Sequence, residues 1–213
     1  MGDETGQGGQ AGWDRKVSRV ILIATANEGK FAEIRECLAT TFDEFFSLAD
    51  FREKVELHED QPTYVENAWK KARKVGDRFG LNTLADDSGL EVNALGGRPG
   101  IYSARYGVND QERVDRLLRE LRDVPLEGRG ALFKAYLVYY LPEVGQAFIF
   151  YGRLKGYIGF EKREGKGFGF DPVFMLPDSR RALAELSLEE KNRISHRGQA
   201  LAALKRFLGG TAA

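Results

Sequence analysis

The sequence predicts an α/β fold with a mixed β-sheet. In the first half of the chain, apolar β-branched runs alternate with amphipathic stripes of helical period, and in the second half two long β segments follow each other across a short turn. Alternating strands and helices favour a sheet covered by helices, whereas a hairpin adds antiparallel strands. We therefore expect one mixed sheet and two lobes with a cleft between them, where a ligand commonly binds.

The N-terminal half of the chain supplies the first strands and helices. A continuous β-branched run predicts a buried strand over residues 17–25, and apolar residues at helical spacing predict a helix over 28–41. Residues 44–48 form a short predicted strand. The clearest stripe of period 3.6 in the chain then predicts a helix over 62–79.

The middle of the chain combines a strand with turn-rich segments. Residues 83–85 are predicted as a short strand that enters the acidic sequence Asp86-Asp87-Ser88-Gly89, and residues 90–94 as its return. The segment 95–107 is rich in glycine and other turn residues and is interpreted as an ordered surface loop. A further amphipathic helix is predicted around residues 114–121.

The C-terminal half contains a predicted hairpin, a short strand and a last helix. Two long β segments, 130–141 and 146–157, are separated by the turn Pro-Glu-Val-Gly. A short strand is predicted over 173–176 and a helix over 196–208. Because no repeat or low-complexity linker divides the chain, residues 17–210 are predicted to form a single domain with two lobes.

Composition excludes several classes of function. The 213 residues include 32 basic and 32 acidic side chains, and zero net charge argues against a generic nucleic-acid or membrane binder. The single cysteine, Cys37, cannot form an intramolecular disulfide or a cysteine-rich metal site. No apolar run approaches the ~20 residues of a membrane helix, so we expect a cytoplasmic protein. The acidic, glycine-rich residues 1–16 are interpreted as a disordered tail.

The turn after the first predicted strand has the layout of an anion site. Its six residues are Thr25, Ala26, Asn27, Glu28, Gly29 and Lys30. Asn27 can cap the following helix, whose exposed amides and positive dipole end favour a bound anion. Lys30 opposes the dipole, and a bound phosphate would offset that cost. The alternative is an ordinary capped helix with a solvated lysine.

Two carboxylates and a lysine form a second candidate group. Because side chains alternate along a strand, Asp86 and Asp87 should point in different directions, so that one can be a metal or water ligand while the other supports the loop. Oxygen ligands of this kind suit Mg²⁺. Lys71, on one flank of the helix over 62–79, can reach over a cleft edge. The alternatives are an exposed acidic turn and a surface lysine that extends into solvent.

Two C-terminal segments could recognise a planar base. Phe168 lies in the glycine-rich sequence GKGFGFDPVF, where an aromatic ring can stack on a base; alternatively the segment is a β-bulge with core aromatics. Lys191, His196 and Arg197 form a donor-rich cluster whose guanidinium suits phosphate or carbonyl oxygens, although lone histidines are usually structural or solvated. Ser195 can cap the last helix, with His196 and Arg197 in its first turn.

Together these segments resemble the inosine/xanthosine triphosphate pyrophosphatases, which hydrolyse non-standard purine nucleotides. The resemblance runs from residue 18 to 208, in the family's order, through the segments TANEGK, ENAWKKAR, LADDSGLEVNALGGRPGIYSARYG, GFGFDPVF and EEKNRISHRG. It implies an elongated mixed sheet with two α/β lobes around a central nucleotide cleft. It also implies a Mg²⁺-dependent enzyme that is usually a homodimer and that binds neither nucleic acid nor a membrane.

The resemblance also implies roles for individual residues. Asp87 and Lys71 are expected to be catalytic, and Asp87 and Glu59 to bind the metal, with Asp60 and Asp86 left open as the second carboxylate. Many relatives carry E-x-G-x-T-F where this chain has Glu59-Asp60-Gln61-Pro62-Thr63-Tyr64. The expected substrate-binding residues are Thr25, Ala26, Asn27, Glu28, Gly29, Lys30, Ser88, Phe168, Gly169, Phe170, Asp171, Lys191, His196 and Arg197.

The predicted reaction converts dITP, ITP or XTP and water into the monophosphate and pyrophosphate. Donors near His196 and Arg197 would donate to the 6-oxo group of the purine, whereas the amino group of adenine would leave such a donor unpaired. Two alternatives remain at this point. One is a Maf-like pyrophosphatase acting on pyrimidine or modified nucleotides, and the other is a nucleotide-binding protein without catalysis. The preferred oxo-purine, the number of metal ions and the dimer surface stay open.

Overall fold

A computed structural model describes residues 19–209, and within them six strands form one mixed sheet. The strands are β1 (Val20–Ile23), β2 (Glu44–Ser47), β3 (Thr83–Val92), β4 (Gly130–Leu141), β5 (Gln146–Ile158) and β6 (Phe174–Met175). Their order in the sheet is β2-β1-β3-β4-β5-β6. β1 pairs in parallel with β2 and β3, and the remaining pairs are antiparallel. The predicted α/β class with a mixed sheet is confirmed.

The helices of the described chain are capped by short polar side chains. They are α1 (Glu28–Leu38), α2 (Tyr64–Phe79), α3 (Asp110–Glu120), α4 (Leu188–Ile194) and α5 (His196–Leu208). Asn27, Thr63 and Ser195 each accept a hydrogen bond from a first-turn amide of α1, α2 and α5. The short helix α4 was not predicted. None of the helices between residues 19 and 209 is long and apolar enough to cross a membrane.

The expectation of a turn at Asp86-Asp87-Ser88-Gly89 is wrong. β3 is one continuous strand of 10 residues, and each of its residues pairs with β4, from Thr83 opposite Tyr140 to Val92 opposite Ala131. The separate return strand over 90–94 therefore does not exist. Two aspartates and a glycine are poor strand formers on their own, but pairing along the whole length of β4 and cations on both faces of the sheet override that preference.

Alternation along the strands produces two cores at the β1 end of the sheet. Ile21 and Ile23 face α1 and α5, whereas Leu22 and Ala24 face α2. A third core, at the far end of β3 and β4, packs α3 against Phe133 and its neighbours. Two sequence predictions concern residues outside the described range. They are the tail over residues 1–16 and the first two residues of the strand predicted over 17–25. β3 contributes residues to all three cores.

Candidate functional site

The turn of residues 25–30 connects β1 to α1 at the carboxyl end of the strand. Asn27 caps α1, because its Oδ1 accepts from the Lys30 amide at 2.9 Å, and its own amide donates to Thr25 Oγ1 at 3.1 Å. Ala26, Asn27 and Glu28 are exposed. The first amides of a helix have no partner within the helix, so this turn presents donors and a positive dipole end to solvent. Its geometry suits a phosphate.

Lys30 is held by a carboxylate. Its Nζ lies 2.5 Å from Oδ1 of Asp86, which is completely buried. A cation in the first turn of a helix is unfavourable by itself, and this ion pair offsets the cost. From the sequence alone, a bound phosphate was expected to offset this cost. Lys30 also lines the cavity described below, so its free side remains available to an anion.

Asp86 and Asp87 point to opposite faces of β3, as strand alternation predicts. Asp86 meets Arg197, whose Nε lies 3.0 Å from Oδ2, and Ser88 donates to its Oδ1 at 3.0 Å. Burial alone would raise the pKa of Asp86, but the charges of Arg197 and Lys30 hold it well below its usual value. Asp86 is therefore a permanently charged structural carboxylate that orients three donors.

Asp87 lies on the α2 face and contacts Lys71. Lys71 Nζ lies 3.2 Å from Asp87 Oδ1 and 2.6 Å from Glu59 Oε1, and it donates to the backbone oxygen of Asp86 at 2.6 Å. Burial, opposed by the charge of Lys71 and assisted by that of Glu59, raises the pKa of Asp87 to about 6. A carboxylate with this pKa can accept a proton near neutral pH.

The acidic pair of Glu59 and Asp87 fits a magnesium ion. Both carboxylates contact one lysine, whereas Asp60 is exposed and pairs with Lys70 at 2.5 Å. Over residues 19–209 no three His, Cys, Asp or Glu side chains are close enough to hold a metal by themselves. Mg²⁺ usually binds one or two carboxylates together with substrate phosphates and waters, so two carboxylates beside a phosphate turn are a suitable donor set.

The aromatic loop, residues 165–171, closes over the phosphate turn. The ring of Phe168 packs so tightly on Gly29 that a Cβ at Gly29 would lie 2.5 Å from Phe168 Cδ1. Lys191 Nζ lies 4.4 Å from the centroid of the same ring. Phe170, in contrast, is buried against Tyr106 in the third core, with a ring-centroid distance of 6.1 Å. Phe168 is thus placed to stack on a base, and Phe170 fits the core alternative.

A buried carboxylate that the sequence argument missed links the C-terminal cations. Glu33 of α1 forms an ion pair with Lys191 at 2.6 Å and a second one with Arg197. Lys191 also pairs with Asp171. In the sequence, Glu33 only stands at i, i+3 spacing from Lys30 on one face of α1, a pairing that is common on solvated helices and does not indicate a buried carboxylate. The predicted purine-reading donors are therefore held in place by carboxylates from three separate elements.

His196 is buried and neutral. Its ring stacks on Phe133 with centroids 4.6 Å apart and an interplanar angle of 6°. Burial, together with the charge of Arg197, holds the pKa of His196 well below its usual value of 6.5. Its Nδ1 is buried and has no hydrogen-bond partner among the described residues. Such an orphaned atom on a cavity wall can serve a ligand.

One cavity collects most of the predicted binding residues. Those that line it are Asn27, Lys30, Ser88, Phe168, Gly169, Phe170, Asp171, Lys191, His196 and Arg197. Asp87 and Lys71 do not line this cavity, because the Asp87 side chain points to the α2 face of β3, opposite to Asp86 and Ser88. Thr25, Ala26, Glu28 and Gly29 belong to the adjoining phosphate turn. Arg113 and Phe133 also line the cavity, and no motif in the sequence had indicated them.

The chain is similar to known proteins over nearly its whole described length. The sequence model of the Ham1 family matches residues 21–207. A dITP/XTP pyrophosphatase of Geobacter sulfurreducens is 44% identical over 89% of this chain and 96% of its own. One of Thermus thermophilus is 46% identical over 86% and 89%. The solved structure of a HAM1 protein from Coxiella burnetii has a TM-score of 0.78 at 38% identity, covering 89% of this chain and 98% of its own.

Proposed function

This chain belongs to the Ham1 family, and on that premise we propose that it hydrolyses the non-standard purine nucleotides dITP, ITP and XTP to the monophosphate and pyrophosphate. The names of its curated relatives, dITP/XTP pyrophosphatases, support the substrate class. The observation that carries the proposal is the joint geometry of the cavity. The phosphate turn and an aromatic end rich in donors line the cavity, and the acidic pair with its lysine lies on the opposite face of β3.

The chain's own residues supply the proposed steps. The turn of residues 25–30 and Lys30 bind the triphosphate oxygens, and Phe168 holds the base at the other end. Asp87, whose pKa is about 6, accepts a proton from the water that attacks the α-phosphorus. Lys71 donates to Asp87 and fixes that carboxylate. Bound at Asp87 and Glu59, Mg²⁺ would neutralise charge on the phosphate oxygens.

Lys71 keeps its charge in this buried position. Burial alone would lower the pKa of Lys71, but the charges of Asp87 and Glu59 raise it above its usual value. The lysine is therefore a fixed cation beside the reacting centre and does not act as a general acid. Its positive charge stabilises the negative charge that develops on the phosphate oxygens.

Specificity in this proposal comes from the donors at the aromatic end. Lys191 and Arg197 are buried cations, and the neutral His196 offers an unpartnered ring nitrogen on the same wall. An oxo group at position 6 of the purine can accept from such donors. The amino group of adenine cannot, and it would leave a desolvated donor unpaired, a mismatch that discriminates strongly.

Pyrophosphate release from a panel of nucleotides tests the function. We expect kcat/KM for dITP, ITP and XTP to exceed that for ATP by at least about a hundredfold, because the mismatch leaves a buried donor without a partner. Activity should disappear with a chelator and return with Mg²⁺. Equal turnover of ATP contradicts the specificity, and tight dITP binding without pyrophosphate release would identify a nucleotide-binding protein that lacks catalysis.

Gly29 provides a test of the stacking arrangement. Alanine is favoured over glycine in a helix by about 1 kcal/mol, so Gly29→Ala should not lower Tm. Its methyl group, however, would displace the Phe168 ring, and we expect KM for dITP to rise about tenfold through weaker stacking. In a Phe168→Ala background the same substitution should have little further effect. An unchanged KM in Gly29→Ala argues against a stacking role for the ring.

The resemblance also supports a homodimer, and we propose that the chain forms one and that it is a cytoplasmic protein. Sedimentation analysis of the purified chain tests the first, and its outcome does not affect the assignment of the reaction. No contribution from nucleic acid or a membrane enters the proposed reaction.

A further inference from the structure

We propose that Asp110, at the start of α3, is a positioning residue that holds Phe168 in place for stacking on the base. The proposal rests on the proposed function, because it concerns the same site. Asp110 does not line the cavity of the candidate site but an adjoining one on the other side of the aromatic loop, and no sequence motif indicated it. Its role follows from a hydrogen bond between α3 and the aromatic loop.

Two carboxylates hold the peptide groups on either side of Phe168. The amide of Phe168 donates to Asp171 Oδ2 at 2.9 Å, and the amide of Gly169 donates to Asp110 Oδ2 at 2.7 Å. Asp171 belongs to the loop itself, whereas Asp110 lies 59 residues away in sequence. The backbone is therefore fixed at consecutive amides, which determines where the Phe168 ring points. Hydrogen bonds from amides to carboxylates are stronger than those to neutral acceptors.

Asp110 is itself held in position. Its other oxygen, Oδ1, accepts from Arg113 one turn further along α3, and Arg113 Nε donates to the backbone oxygen of Gly107 at 3.3 Å. Arg113 also lines the cavity beside Gly169. A second link between α3 and the segment before the loop is the hydrogen bond from Lys162 Nζ to Gln111 Oε1 at 2.7 Å. The first turn of α3 thus supports the aromatic loop.

Substitutions at Asp110 separate this role from a contribution to helix stability. Asp110→Ala and Asp110→Asn both remove the charge that favours the helix N-terminus and the ion pair with Arg113. Only asparagine retains an oxygen that can accept from the Gly169 amide. Asp115→Ala is the matched control, because Asp115 lies on the same helix. Its carboxylate accepts a hydrogen bond from Gln111 and not from an amide of the aromatic loop.

The measurements are KM and kcat for dITP and the inhibition constant of inorganic triphosphate, which has no base to stack. For Asp110→Ala we expect KM to rise five- to tenfold, with kcat and the triphosphate constant within twofold of wild type. Asp110→Asn should recover most of the affinity, and Asp115→Ala should match wild type. Equal KM values in the alanine and asparagine variants overturn the proposal, as does a parallel loss of triphosphate affinity. A wild-type chain that leaves dITP intact would instead refute the proposed function.

Discussion

Asp87→Asn is expected to reduce kcat for dITP by about 10²–10⁴-fold, the contribution of a positioned general base. In the wild type, Asn67 Nδ2 donates to Asp87 Oδ2 at 3.3 Å and Lys71 Nζ donates to Oδ1. Asparagine preserves the shape of the side chain and keeps an oxygen that can accept from one of these donors, so the fold should be kept. It cannot accept a proton from water, and it weakens the acidic pair with Glu59 that suits Mg²⁺. Pyrophosphate release at saturating dITP and Mg²⁺ measures the effect.

Asp60→Asn is the matched control for this carboxylate. Asp60 lies next to Glu59 in sequence but is exposed and pairs with Lys70, so its loss should change kcat less than about threefold. A variant Asp87→Asn that retains wild-type turnover would remove this carboxylate from the mechanism. If Asp60→Asn lowers kcat strongly and Glu59→Gln does not, Asp60 and not Glu59 is the second metal-binding carboxylate.

The regular elements of the fold could be predicted because their signals are local. Helical stripes and buried runs located α1, α2, α5 and the hairpin of β4 and β5 to within a few residues. The course of β3 could not be predicted, because Asp86 and Asp87 are stabilised within a strand by cations that come from α1, α2 and α5. That information is tertiary. The local sequence of two aspartates, a serine and a glycine carries only the preference for a turn.

The candidate site shows the same division between local and tertiary information. Motif residues such as Asn27, Phe168 and His196 could be named from the sequence, and the structure brings them around one cavity. Residues that act by holding others, such as Glu33 and Asp110, were missed. Their partners lie far away along the chain, so their charges look like those of any solvated helix face until the elements are packed together.

Glu33→Gln is expected to be the most destabilising single change in the site. Glu33 belongs to a buried cluster in which Glu33, Asp86 and Asp171 face Lys30, Lys191 and Arg197. Glutamine keeps the volume but leaves one buried cation without its counter-charge. Breaking a buried ion pair from one side costs about 3–5 kcal/mol, which corresponds to a Tm roughly 10 °C lower for a chain of this size.

Glu53→Gln separates this effect from the loss of any surface charge. Glu53 pairs with Arg78, but their side chains are 50% and 56% exposed, so Tm should stay close to the wild-type value. Both variants can be compared by thermal unfolding in the absence of nucleotide. If Glu33→Gln has the same Tm as Glu53→Gln, the buried cations must be neutralised by Asp86 and Asp171 alone. Glu33 would then be dispensable for the fold, and any change in KM for dITP would report its effect on Lys191 and Arg197 directly.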